Sequence, residues 1–94
     1  MGKLTKAKYM AVMSVSNGYQ SSLVGLGTVR RLLQLSEKRI TTVARKTLGK
    51  HYGPENVEVS CGAELVKNRW RGQCTVHGES LVYEIYEVRR PTQG

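Results

Sequence analysis

The chain has 94 residues, a formal net charge of +8, 39% apolar residues and no Phe. A chain of this length buries one modest core, here built from Val, Leu, Ile, Met, Tyr and the single Trp, and leaves little room for a deep enzyme cleft. Its apolar fraction excludes a disordered chain, and no apolar run approaches the roughly 18 residues of a membrane span.

The charged start, Met1 to Lys6, is not followed by the apolar stretch of a secretory signal. The expectation is a single small basic cytoplasmic domain over 1–94, with no membrane partner and with 1–7 and 89–94 as flexible tails. Its charge is unevenly spread. Residues 1–56 hold ten Lys and Arg against Glu37 and Glu55, whereas 57–94 hold five against five Glu, and Asp is absent. Such asymmetry points to a polyanionic partner: nucleic acid (RNA or DNA), a nucleoprotein complex, or an acidic protein surface.

In chain order, Lys8 to Val15 reads as a strand. Asn17-Gly18 follows, a strong hairpin signal. A two-residue hairpin would pair Val15 with Gln20, Met13 with Ser22 and Val12 with Leu23, which gives no clean apolar face. The preferred reading is a turn into a helix capped by Ser21 or Ser22. Leu23, Leu26, Val29 and Leu33 recur at helical spacing, interrupted by Gly25 and Gly27. A second helix starts after Leu35-Ser36, with Ser36 as N-cap and Arg39 where a capping box would have Glu. Ile40, Val43, Ala44, Thr47 and Leu48 share one of its faces, and Gly49 or Gly53 with Pro54 ends it.

Beyond residue 56 the pattern changes to period two. Val57 to Leu65 alternates, and so does Trp70 to His77. A turn at Lys67-Asn68 sets Val57, Val59, Cys61, Ala63 and Leu65 against Gly78, Val76, Cys74, Gly72 and Trp70 on an apolar face, with Glu64 opposite Arg71 on the wet face. A turn near Gly78-Glu79-Ser80 returns Leu81, Tyr83 and Ile85 to the apolar side. The expected fold is α+β: an N-terminal strand or hairpin, two helices, then a three-stranded antiparallel β-meander packed against the helices.

The second helix carries the main candidate site. Opposite its apolar face lie Lys38, Arg39, Arg45 and Lys46, flanking Thr42, with no acid among them. Arg30, Arg31, Lys50 and His51 extend the patch. Like charges repel, and solvated helix faces usually mix signs, so this strip suits phosphates. Thr42 offers a hydroxyl. The wet side of the sheet offers a second surface, in which Arg69, Arg71 and Tyr86 are placed to stack bases; Val82 and Val88 beside them suit a protein contact. Sheet edges provide for a homodimer or a protein partner.

The expected function is a non-enzymatic nucleic-acid-binding module. The alternative is a small inhibitor or adaptor that docks on a protein through the basic helix or a sheet edge. Cys61 and Cys74, opposed in this register, read as reduced core thiols. No metal site or cofactor is expected, because the Cys and His spacing fits no zinc pattern. Without Asp there is no Ser/His/Asp triad, and no phosphate loop is present.

Two resemblances are short. Val29 to Val43 is similar to a helix-turn-helix in its apolar positions and its Leu35-Ser36 turn, but has Arg30 where a small residue is usual and Gln34 where Gly is usual. Trp70, Arg71, His77, Leu81-Val82-Tyr83 and Arg89-Arg90, after a strand and two helices, resemble small basic endoribonucleases of the RelE-like toxin type. That resemblance implies RNA cleavage with Arg69, Arg71, His77 and Tyr83 as its candidates. The chain stops where that family continues into a further strand or tail.

Overall fold

The computed structural model describes residues 9–25, 27–29 and 35–88. The expected tails and Arg30, Arg31 and Leu33 lie outside them. Among the described residues there is one α-helix, α1 (Glu37–Tyr52), and seven strand segments: β1 (Tyr9–Ser16), β2 (Ser21–Leu23), β3 (Gly27–Val29), β4 (Val57–Val59), β5 (Glu64–Val66), β6 (Arg69–Val76) and β7 (Glu79–Val88). All pair antiparallel in one sheet. β2 and β3 share one edge lane against β1, β4 and β5 share the other against β6, and β7 lies between β1 and β6.

The α+β class and the antiparallel sheet stand, but two helices and a three-stranded meander do not. The first expected helix is replaced, over its described part, by β2 and β3 pairing with β1. Residues 30–34, the first half of the helix-turn-helix resemblance, lie outside the described residues. Two local features favour the strands. Gly25 and Gly27 adopt φ of 78° and 114°, conformations that a helix excludes and that Gly supplies without steric cost. The Asn17 side chain also reshapes the turn: its Oδ1 accepts from the backbone N–H of Tyr19 and Gln20 at 2.9 and 3.0 Å. This Asx geometry makes a four-residue loop. It sets Ser14 opposite Leu23 and Ser16 opposite Ser21, two residues away from the register expected for a two-residue turn.

Helix α1 matches its sequence signals. Ser36 accepts from Arg39 N–H at 3.1 Å, and Gly53 closes the end by donating its N–H to the Gly49 carbonyl at 2.8 Å with φ of 100°. Pro54 then begins a single 3-10 turn. Ile40, Thr41, Ala44, Leu48 and Gly49 face the sheet and are buried. Beneath them lie Ala11, Met13 and Val15 of β1, Trp70, Cys74 and Val76 of β6, and Tyr83 and Ile85 of β7. Burying each large aliphatic side chain contributes about 1.5–3 kcal/mol, so the one helix secures one face of the sheet.

In the centre of that layer Gly72 pairs with Tyr83. A Cβ on Gly72 would lie 2.5 Å from Tyr83 Cζ and Oη. The missing side chain is therefore what lets the fully buried Tyr83 ring lie across β6.

The β4–β5 lane keeps the expected faces but not a single register. Glu64 pairs with Arg71, as expected, whereas Val59 pairs with Cys74. Residues 60–63 on the edge thus span only Gly72 and Gln73 on β6. The extra residues loop out, with Gly62 at φ of 107°. Cys61 is thrown to the surface while Cys74 stays buried, so the two thiols do not oppose each other and only Cys74 points to the core.

Candidate functional site

The outward side of α1 presents Lys38, Arg39, Thr42, Arg45, Lys46 and Lys50, all exposed. The fold turns this side to solvent because Ile40, Ala44 and Leu48 occupy the opposite side. None of the five cations has an acidic partner among the described residues. Glu37 sits in the first turn, where it complements the helix dipole. Thr42 differs from expectation in chemistry: its hydroxyl donates to the Lys38 carbonyl at 3.1 Å, so its proton is already committed and only lone pairs face outward.

Arg69 and Arg71 lie elsewhere. They alternate with buried Trp70 and Gly72 along β6 and so project from the sheet face that α1 does not cover. Both bind one carboxylate. Arg69 Nη1 donates to Glu84 Oε1 at 3.0 Å, and Arg71 donates through Nε and Nη2 to Oε2 at 3.2 and 2.9 Å. These hydrogen bonds, chiefly those from Arg71, hold the Glu84 carboxyl below its ordinary range. The Arg69 guanidinium also sits 4.3 Å from the Tyr86 ring centroid. The cross-strand neighbour Glu64 is thus not the acid that binds Arg71. Glu84, missed from sequence, could have been found from the His77-Gly78 turn, whose positive φ values of 51° and 81° suit a two-residue hairpin and set Glu84 opposite Arg71.

Around this clamp the open face forms a shallow trough of about 1000 Å³ that includes Ser14, Ser16, Gln73 and Ser80. Its hydroxyls and amide, with two arginines balanced by Glu84 and Glu64, make it polar and nearly neutral.

A smaller cleft of about 630 Å³ opens where the β2–β3 connection approaches the C-terminal half of α1, lined by Val24, Gly25, Lys46, Thr47, Lys50 and His51. His51 stacks edge-on to Tyr52 with ring centroids 4.6 Å apart.

The structure thus gathers Lys38, Arg39, Thr42, Arg45, Lys46 and Lys50 on one surface and sets Arg69 and Arg71 on the opposite side of the two-layer domain. The residues implied by the endoribonuclease resemblance do not converge. Tyr83 is fully buried beneath α1. Its hydroxyl lacks a hydrogen-bond partner of good geometry, and the nearby Thr41 hydroxyl donates instead to the Glu37 carbonyl. His77 lies in the β6–β7 turn, and the two arginines face away from Tyr83.

Burial pushes the Cys74 thiol up to about 11, which keeps it protonated and unreactive. Among the described residues no group of three His, Cys, Asp or Glu is placed to hold a metal ion, and no helix is long and apolar enough to cross a membrane. No protein-family model matches the chain, and neither does a curated protein or a solved structure.

Proposed function

We propose that this protein is a small cytoplasmic, non-enzymatic nucleic-acid-binding module that neutralises phosphates with the outward side of α1, alone or within a nucleoprotein complex. One observation carries the reading: Lys38, Arg39, Arg45, Lys46 and Lys50 share an exposed helix surface without an acidic partner among the described residues. Concentrated, unpaired positive charge raises the energy of the free protein through self-repulsion, and counterion release on a polyanion offsets that cost. Arg69 and Arg71 are subordinate in this reading, since Glu84 already holds them.

The test is binding of random-sequence single- and double-stranded RNA and DNA by fluorescence anisotropy across a salt series. Affinity is expected to fall steeply with salt, with a log–log slope of about −3 to −4.5 for four or five contacts, the steeper values on duplex. An affinity indifferent to salt would overturn the proposal.

A second reading, docking on a protein, draws on the sheet edges. Leu23 on β2 is 66% exposed and Leu65 on β5 is 44% exposed, and each lies on a strand with one side unpaired among the described residues, suited to β-augmentation or a homodimer. A nuclease-insensitive one-to-one complex with a protein would favour it.

A further inference from the structure

The cleft beside the C-terminal half of α1 differs in kind from the rest of the basic surface. Lys38, Arg39 and Arg45 are spread over a convex helix side. Lys46 and Lys50 instead stand one turn apart, about 6 Å along the axis, and with His51 they line one recess with no acid in its wall. The facing wall is Val24 and Gly25. Gly25 has φ of 78° and open space where a Cβ would stand, so this wall is backbone and a half-buried apolar side chain.

A phosphodiester carries one charge and two free oxygens. A phosphate monoester carries about −1.5 to −2 at neutral pH and three acceptor oxygens. Lys46 and Lys50, with His51 beside them, line one recess and offer more than one donor to the three oxygens of a monoester, and the Val24-Gly25 wall suits the flat or apolar parts of a nucleoside. Arg39, Thr42, Lys46 and Lys50 follow one another at three- and four-residue spacing, forming a column about 16 Å long that leads away from the recess along the helix.

Resting on the nucleic-acid reading above, we propose that the cleft binds a phosphate monoester, namely the terminal phosphate of a nucleic-acid strand whose body runs along α1 toward Arg39.

The experiment compares the full chain's affinity for short single-stranded oligonucleotides of one sequence, labelled internally and ending in 5′-phosphate, 3′-phosphate or hydroxyl, with AMP and inorganic phosphate as competitors. One of the phosphorylated ends is expected to bind about tenfold tighter than the hydroxyl end, the size of a charge-assisted contact. Replacing Lys46→Gln together with Lys50→Gln should weaken every oligonucleotide and reduce the ratio to one. Lys38→Gln with Arg45→Gln should weaken them all and leave the ratio intact.

Equal affinity for phosphorylated and hydroxyl ends, with salt dependence preserved, would overturn the cleft assignment and leave the broader reading standing. No binding to any oligonucleotide would overturn both. AMP displacing the phosphorylated strand at matching concentration would overturn the strand-end assignment in favour of a free nucleotide.

Discussion

The two outer surfaces of the domain carry the same chemistry in opposite states. On the helix side, five cations project from α1 and none meets an acid among the described residues. On the open sheet side, two arginines share one carboxylate, and a tyrosine ring lies against one of them. Net charge alone cannot tell these apart. Position does: cross-strand neighbours on a sheet face lie within hydrogen-bond reach, so Arg71 and Glu84 meet as soon as β6 and β7 pair. A helix surface offers partners only three or four residues away, and α1 supplies none of opposite sign to its outward lysines and arginines.

The largest expected effect tests that contrast directly. Replacing Lys38, Arg39, Arg45 and Lys46 by Gln should weaken binding to a single-stranded oligonucleotide about 100-fold near 0.1 M salt and flatten the salt slope by about 3. The thermal midpoint should not fall, because the change relieves repulsion. Replacing Arg69 and Arg71 by Gln should change affinity less than threefold or so, with a small loss of stability. Equal losses from the two sets in an anisotropy titration would erase the distinction between the surfaces.

Between the surfaces lies the layer that keeps them apart, and Gly72 is its tightest point. Gly72→Ala is expected to destabilise the domain by about 2 kcal/mol through overpacking against Tyr83, read as a lowered urea midpoint at constant slope. The ring has nowhere to retreat, since it is fully buried between β6 and α1. A fully tolerated substitution would mean that this layer is looser than its packing implies, and with it the separation of the two basic groups.

The parts of this arrangement that sequence made legible are those written in a period and closed by a specific cap. Ser36, Gly53 and Pro54 bound α1, and its apolar positions predict which side turns outward. The β6–β7 alternation and the Lys67-Asn68 turn predict the antiparallel pairing of β5, β6 and β7 and its faces, though not the full sheet. The N-terminal hairpin was obscured because β2 and β3 are three residues each, too short to display alternation, while Leu23, Leu26, Val29 and Leu33 imitate a helix.

The β4–β5 register was illegible for another reason. A slip of two residues leaves every side chain on its own face, so alternation could not reveal that residues 60–63 loop out and expose Cys61. Of the candidate site, the helix cations were readable from spacing. The capture of Arg69 and Arg71 was not, because the β5–β6 register places Glu64 opposite Arg71 and says nothing of Glu84 on the β7 side, which holds both arginines. The Val24-Gly25 wall of the cleft arises from the hairpin that Asn17-Gly18 offers as the less favoured alternative to a helix, and its position depends on the four-residue loop.

Glu84 is where the comparison can be sharpened most finely. Its side chain is 22% exposed, whereas those of Arg69 and Arg71 are 50% and 56% exposed, so solvent screens the pair and the net contribution is modest, about 1 kcal/mol. Glu84→Gln should therefore destabilise by about that amount at neutral pH. The pH dependence has a definite sign. Because the folded state holds this carboxyl below its ordinary range, its contribution is complete above the unfolded carboxylate range and disappears as pH falls through the lower folded value. The stability gap between wild type and Glu84→Gln, measured by urea denaturation, should close on acidification and not on alkalinisation. The same substitution frees two guanidinium groups, so nucleic-acid affinity should rise about two- to fivefold at low salt. A rise would mean that the sheet arginines differ from the helix cations only in being held. No rise, with the stability loss present, would mean that the open face disfavours a polyanion for reasons beyond the clamp, with Glu64 the nearest remaining acid on β5.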